Sequence, residues 1–134
     1  AALERYDVHL ADSYAGIDPA HGMFDRVVLD LPEPWQVIPH TEPVLSAGGV
    51  LVAYTPSIVQ AMQVREQLKG RWIDARTIEV LHRGWHVEGQ AVRPDHRMVA
   101  HTAFLTVARF LGQGSKAMRT DAGHERFGGA KVKR

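Results

Sequence analysis

The stretch that decides the fold is FDRVVLDLPEPW, residues 24–35. Its strand-like run at 26–29 is nearly continuous in apolar residues, which is typical of a strand buried on both faces in a parallel sheet. The run ends at Asp30 and is followed by a Pro-x-Pro-Trp turn. Because proline fixes the backbone angle φ, we expect this turn to be stiff. The segment therefore predicts a buried strand that delivers one carboxylate to the edge of a sheet.

Further apolar runs extend this pattern in both directions along the chain. They predict strands over 6–10, 50–54, 77–81 and 102–109, with a turn at Ala47-Gly48-Gly49 leading into the second of these. Strands that alternate with helices predict an α/β fold with a parallel sheet. In such a sheet, ligands bind beyond the carboxyl ends of the strands, where Asp12 and Asp30 both fall.

Two helices are predicted between the strands. Apolar residues recur at spacings of three and four at Ile58, Ala61, Val64 and Leu68. This spacing indicates a helix with one apolar face. Pro56-Ser57 is a start signal for this helix and Gly70 a stop signal. The segment 35–46 contains Pro39 and Pro43, and proline removes a backbone donor. We therefore expect a broken or late helix there, with Pro43 in its first turn.

The composition is that of one globular domain. The chain has 134 residues, 45% hydrophobic and 23% charged, no cysteine and a net charge of +1. No apolar run approaches the roughly 20 residues that a membrane span needs. Cysteine chemistry is excluded, and its absence is compatible with a cytoplasmic protein. The predicted folded region is 1–111, and 112–134 is predicted to be a disordered basic tail, either merely solvated or touching nucleic acid.

The Asp30 loop is also the strongest candidate for chemistry. Trp35 offers a flat face on which a nucleobase can stack, and a carboxylate beside it can accept the exocyclic amine of adenine or cytosine. The alternative is structural: an aspartate that ends a strand often caps the next helix, and a tryptophan after proline often belongs to the core. Spacing alone leaves both interpretations open.

Four segments in order resemble one family, the tRNA adenine-N1 methyltransferases that act at position 58. Residues 30–35 are similar to the Asp-x-x-x-Pro-Trp loop of that family, and 54–60 (YTPSIVQ) to its Tyr-x-Pro-x-x-x-Gln segment. Residues 83–85 and 93–94 are similar to its late hairpin. Residues 101–105 (HTAFL) match its last strand almost letter for letter, and the overall match is of an actinobacterial type.

The resemblance implies a partial Rossmann-like sheet that binds S-adenosylmethionine (SAM). It implies that this chain is the C-terminal part of the catalytic domain, with the later strands and an antiparallel edge hairpin. The earlier strands and the Gly-x-Gly-x-Gly loop of the family are not in this sequence, so the chain alone is expected to be inactive. The resemblance also implies tRNA as substrate, a homotetramer and a cytoplasmic location.

The resemblance assigns roles to individual residues as well. It makes Asp30 the catalytic carboxylate and places Asp12 on the adenine of SAM, although a simple capping role for Asp12 stays open. Tyr54 and Gln60 match positions at the mouth of the active site, where Trp35 is the stacking candidate. His101 matches a position close to the pocket or to an inter-subunit contact.

Other functions remain as alternatives. His82 and His86 are four residues apart, but the sequence between them is strand-like, so we expect no metal site. A second hypothesis is a non-catalytic RNA-binding or assembly subunit with a methyltransferase-like fold, which the retained Asp30 disfavours. A third hypothesis is a methyltransferase that acts on another amine, in DNA or protein.

Overall fold

The computed structural model describes residues 6–98 and 100–114. Across these residues the chain forms six strands and two α-helices. In chain order they are β1 (Phe24–Leu29), α1 (Pro34–Thr41), β2 (Leu45–Thr55), α2 (Ile58–Gln67), β3 (Trp72–Glu79), β4 (Trp85–Glu88), β5 (Ala91–Pro94) and β6 (Phe104–Phe110). A short 3₁₀ turn, Pro19–His21, precedes β1.

The main sheet is mixed and has the strand order β1-β2-β6-β3. Strands β1 and β2 are parallel, and β6 runs antiparallel to both of its neighbours, β2 and β3. The carboxyl ends of β1, β2 and β3 therefore share one edge of the sheet with the amino end of β6. Strands β4 and β5 form a separate antiparallel hairpin. The predicted α/β class is confirmed. The late antiparallel hairpin is present, but it forms its own sheet rather than the edge of the main sheet.

Both helices pack on the same face of the main sheet. Val37 of α1 and Val64 of α2 are fully buried in one cluster with Leu51 of β2 and Phe110 of β6. On the opposite face of the described residues, Val28 is 70% exposed. The prediction that the strands are buried on both faces is therefore wrong for this part of the chain, because α1 and α2 cover only one face.

The helix starts follow local sequence signals. Helix α1 begins at Pro34, where a missing N–H costs nothing, and it tolerates Pro39 inside. Pro43 lies after α1 rather than in its first turn, so the expected late start is wrong. The start of α2 is confirmed: the Ser57 hydroxyl accepts a hydrogen bond from the Val59 N–H at 3.2 Å. After α2 ends, Gly70 takes a φ of +70°.

The predicted turn before the second strand is instead an irregular part of β2. The register of β2 against β1 shifts between Leu45 and Val50. Gly48 has a φ of +81°, and a Cβ on Gly49 would lie 2.7 Å from the Ser46 carbonyl oxygen. Only glycine fits both positions, because one needs a left-handed backbone and the other has no room for a side chain.

The predicted strand at 6–10 is not formed. These residues have no strand partner among the described residues, and Tyr6, Val8 and Leu10 are largely exposed. A strand without a neighbour leaves its backbone groups to water, so alternating apolar residues alone do not fix it. The predicted strands at 77–81 and 102–109 are present with shifted bounds, as β3 and β6.

At the carboxyl end of the described chain, Gln113 Nε2 donates to the Glu42 carbonyl oxygen at 2.8 Å. Most of the predicted basic tail, 115–134, lies outside the described residues. In the part that is described, neither helix is long and apolar enough to cross a bilayer.

The buried aromatic ring of Phe110 gives a direct test of this core. Phe110→Ala removes a fully buried side chain that packs on Trp72 with ring centroids 5.0 Å apart. We expect the free energy of unfolding in urea to fall by about 3–5 kcal/mol. The matched control is Phe24→Ala, because Phe24 is already 38% exposed, and its loss should be clearly smaller. Equal losses at the two positions would contradict the described packing.

Candidate functional site

One edge of the main sheet collects most of the predicted site residues. Asp30 follows β1 directly, and Tyr54 stands at the end of β2. Glu79 is the last residue of β3, and His101 lies three residues before β6. Because β6 enters the sheet antiparallel between β2 and β3, residues from distant parts of the sequence meet at this edge.

The Asp30 side chain is exposed at this edge. It is followed by a short loop, 31–33, and α1 then begins at Pro34. Backbone bonding closes the loop, since Gln36 N–H donates to the Glu33 carbonyl oxygen at 3.0 Å. Asp30 is therefore accessible to solvent and does not belong to the packed interior.

Two side chains hold the Asp30 loop from outside it. The Gln60 amide, in the first turn of α2, donates from Nε2 to the Pro32 carbonyl oxygen at 3.2 Å. The Tyr14 hydroxyl accepts a hydrogen bond from the Glu33 N–H, also at 3.2 Å. The resemblance predicts Gln60 at the mouth of the site, and its observed contact is with the loop that carries Asp30.

Trp35 and Tyr54 differ in their exposure. Trp35 is partly buried and packs against the hydrophobic cluster under α1, as the structural alternative for this residue expects. Tyr54 is 40% exposed on the sheet face that the helices leave open. Its neighbour Thr55 is buried, and its hydroxyl has no hydrogen-bond partner among the described residues. Of the two aromatic rings, Tyr54 is the more accessible to a ligand.

Asp12 lies in the segment that precedes β1. Its Oδ1 accepts a hydrogen bond from the Tyr14 N–H at 2.9 Å, and the Ala15 N–H donates to its carbonyl oxygen at 3.1 Å. This is a local turn of the kind that aspartate side chains favour. Asp12 stays exposed, and Tyr14 connects its turn to the Asp30 loop.

His101 makes the tightest contacts at the edge. Its Nδ1 lies 2.5 Å from the Glu79 Oε1, and its Nε2 lies 2.8 Å from the Pro56 carbonyl oxygen. The ring also packs against Phe104, with centroids 4.8 Å apart. The hydrogen bond to the Glu79 carboxylate, helped by the one to Pro56, raises the pKa of His101 above its usual value.

Sequence reasoning missed two residues at this edge, Tyr14 and Glu79. Glu79 ends a strand that shares its direction with β1, so the rule that singled out Asp30 also applied to it. Tyr14 carried no such signal, because its contact with Glu33 spans 19 positions of sequence. Within 6–98 and 100–114, no three His, Asp or Glu side chains are grouped closely enough to hold a metal ion.

The mixed sheet carries an exposed carboxylate, Asp30, at its carboxyl edge, which is the edge where α/β sheets bind ligands. The family model described as "tRNA methyltransferase complex GCD14 subunit" matches residues 4–96. The chain therefore belongs to this family of tRNA methyltransferase proteins.

The relatives of known function are tRNA adenine-N1 methyltransferases. The tRNA (adenine(57)-N(1)/adenine(58)-N(1))-methyltransferase TrmI of Methanocaldococcus jannaschii is 41% identical over 88 residues, which cover 63% of this chain and 31% of that protein. A tRNA (adenine(58)-N(1))-methyltransferase TrmI of Thermus thermophilus is 38% identical over 87 residues, with 64% and 34% covered. This chain spans about a third of the length of these relatives.

Solved structures confirm the fold class. A SAM-dependent O-methyltransferase from Thermotoga maritima superposes with a TM-score of 0.76 at 29% identity, covering 81% of this chain and 41% of that one. The tRNA (m1A58) methyltransferase TrmI of Aquifex aeolicus gives a TM-score of 0.62 at 28% identity, covering 67% and 36%. The described sheet thus corresponds to part of a Rossmann-like methyltransferase domain.

The Tyr14 contact predicts a measurable effect on the Asp30 loop. Tyr14→Phe removes the hydroxyl that accepts from the Glu33 N–H. We expect amide hydrogen exchange at Glu33 to become roughly two- to tenfold faster, the range that one net hydrogen bond corresponds to. Tyr54→Phe is the matched control, because it removes the same atom from a residue that does not contact the loop backbone. Unchanged exchange at Glu33 in Tyr14→Phe would show that the contact is not formed in solution.

Proposed function

We propose that this chain contributes part of the catalytic domain of a SAM-dependent enzyme that methylates N1 of adenine 58 in tRNA. Family membership and the names of the relatives support this reaction class. The observation that carries the proposal is the position of Asp30, exposed at the carboxyl edge on a loop that Tyr14 and Gln60 hold. A held, accessible carboxylate is what recognition of an amino-purine requires.

Asp30 would act on the charge that develops in the substrate. As N1 of adenine takes the methyl group, the ring becomes cationic and its exocyclic N6 group becomes more acidic. A carboxylate fixed near N6 accepts a hydrogen bond from it and stabilises the positive charge. Since N1 itself is the nucleophile, no nucleophilic side chain is needed, and the protein supplies position and electrostatics.

Bound SAM would supply the electrophilic methyl group. The residues present fit the adenine end of this cofactor, because the exposed Asp12 carboxylate can accept a hydrogen bond from an adenine amino group. The sequence contains no Gly-x-Gly-x-Gly motif, and we assign no residue of the described chain to the rest of the cofactor. We therefore expect the 134 residues alone to bind SAM weakly and to be inactive.

The substrate would enter from the open side of the edge. An adenine in a folded tRNA must leave its stack before a carboxylate can reach its Watson–Crick side. The exposed ring of Tyr54 then offers a surface for the displaced base. For Trp35 we propose only a supporting role, since it packs against the hydrophobic cluster.

The expected setting of the enzyme follows from its substrate. An enzyme that modifies tRNA would work in the cytoplasm, where tRNA is used. The homotetramer implied by the resemblance stays a prediction. The alternative, a non-catalytic subunit of a methyltransferase complex, requires no exposed carboxylate at the Asp30 position.

Replacement of Asp30 tests the proposed reaction. In the full protein that contains this chain, Asp30→Asn keeps the size of the side chain and removes its charge. We expect the rate of 1-methyladenosine formation in tRNA to fall by about 10²–10³, by analogy with removal of a single charge-stabilising group. SAM binding, measured by calorimetry, should remain largely intact, because the resemblance places Asp12 and not Asp30 on the cofactor.

Asp25→Asn is the matched control. Asp25 is exposed and lies near the start of β1, the strand that Asp30 directly follows. Its activity should equal that of the wild type. Full activity of Asp30→Asn would refute the catalytic role. If the wild-type protein methylated a different nucleotide or none, as identified by mass mapping of tRNA nucleosides, the proposed substrate would be wrong.

A further inference from the structure

The contacts of the His101 ring fix its charge. Nδ1 faces a carboxylate oxygen of Glu79 at 2.5 Å, and Nε2 faces the carbonyl oxygen of Pro56 at 2.8 Å. A carbonyl oxygen and an ionised carboxylate can only accept hydrogen bonds, so both ring nitrogens must donate. A neutral imidazole carries one N–H and satisfies one of the two contacts. Only the imidazolium, with two N–H groups, satisfies both.

We propose that Glu79 is a positioning residue whose carboxylate keeps His101 as an imidazolium, so that the second N–H of the ring fixes the Pro56 carbonyl at the start of α2. The ring thus ties the end of β3 to the β2–α2 connection. The contact with Pro56 spans 45 positions of sequence and the contact with Glu79 spans 22. The pair is a tertiary clamp, not a local turn.

The clamp is connected to the Asp30 loop through the first turn of α2. Pro56 precedes Ser57, whose hydroxyl caps α2. Gln60 lies in the first turn of α2 and donates to the Pro32 carbonyl oxygen, two residues beyond Asp30. Fixing Pro56 therefore fixes the helix start from which Gln60 reaches the loop. Any effect of the clamp on methyl transfer rests on the proposed function, whereas the charge of the His101 ring does not.

The groups around the ring favour the charged form. Glu79 is the carboxylate that faces it from β3, β6 contributes the ring of Phe104, and the β2–α2 connection contributes the Pro56 carbonyl. The side chains of His101 and Glu79 are 45% and 31% exposed, so desolvation opposes the charge only weakly. Accordingly, the pKa of His101 is raised, with the Glu79 hydrogen bond as its largest cause.

The sign of the pH dependence follows from this raised pKa. Below the ordinary histidine pKa the clamp is complete, because the ring carries both protons. As pH rises through the raised pKa, the ring loses one proton and one of its two contacts. The clamp therefore weakens on the alkaline side of the His101 titration.

The test is a titration of the histidine rings by NMR in the full protein, for the wild type and for Glu79→Gln. Glutamine keeps an oxygen acceptor near Nδ1 but removes the charge. We expect the wild-type His101 to titrate with a midpoint above that of an ordinary histidine and to carry two ring N–H groups below that midpoint. In Glu79→Gln the midpoint should move to lower pH. The same variant should slow methyl transfer by roughly two- to tenfold, as loss of one net hydrogen bond does, and the alkaline fall in rate should move to lower pH with it.

Glu88→Gln is the matched control. Glu88 also stands beside a histidine, His86, at 3.6 Å, but on the separate hairpin. It should leave both the His101 midpoint and the methyl-transfer rate unchanged. Because a merely structural loss would lower activity without moving the His101 titration, the pH profile separates the two explanations.

Three results would overturn the proposal. One is a wild-type His101 midpoint at or below that of an ordinary histidine, a measurement that needs no variant. A second is an unchanged His101 midpoint in Glu79→Gln. A third is a shifted midpoint with an unchanged rate and pH profile, which would remove the positioning role. If the protein proved inactive on tRNA, the first two measurements would still decide whether the clamp exists.

Discussion

The antiparallel entry of β6 between β2 and β3 is the constraint on which the rest of this structure depends. It places the amino end of β6 at the edge where β1, β2 and β3 end. The residues before β6 therefore meet the residues that follow β2 and β3, and His101 lies beside Glu79 and Pro56. The buried face of β6, which includes Ala108 and Phe110, also packs against the helices. One strand thus organises both the core and the candidate site.

The candidate site at the carboxyl edge consists of exposed groups, and only a few hydrogen bonds hold them in place. Tyr14 and Gln60 each contribute one contact to the Asp30 loop, and His101 contributes one to the β2–α2 connection. Between exposed groups, each such hydrogen bond contributes only a small net free energy. The prolines around Asp30 reduce the entropy that the contacts must overcome, since their φ angles are already restricted. A stiff loop can then be positioned by a small number of partners.

This chain contributes residues of the proposed enzyme that would contact the substrate. It supplies the carboxylate, the aromatic ring and the loop contacts that a substrate adenine would meet. It corresponds to about a third of the relatives by length, and its sequence contains no Gly-x-Gly-x-Gly motif. The helices leave one sheet face open in the described residues, and Val28 and Tyr54 lie on that face. In the proposed enzyme the substrate contacts lie in this chain, whereas only the Asp12 carboxylate of this chain is proposed to meet the cofactor.

The sequence by itself determined the elements whose signals are local. The Ser57 cap of α2 was predicted correctly, because it depends on neighbours within a few residues. The strand at 26–29 also formed, although one of its faces is open, and Pro34 and Trp35 of the predicted turn begin α1 instead. The four motifs indicated the family, which the family model confirmed. The strand expected at 6–10 is absent, since a strand forms only where another strand pairs with it. Tertiary structure alone decided that Tyr14 reaches the Asp30 loop and that Glu79 lies beside His101. Strand order and direction, not sequence spacing, bring these side chains within hydrogen-bonding distance.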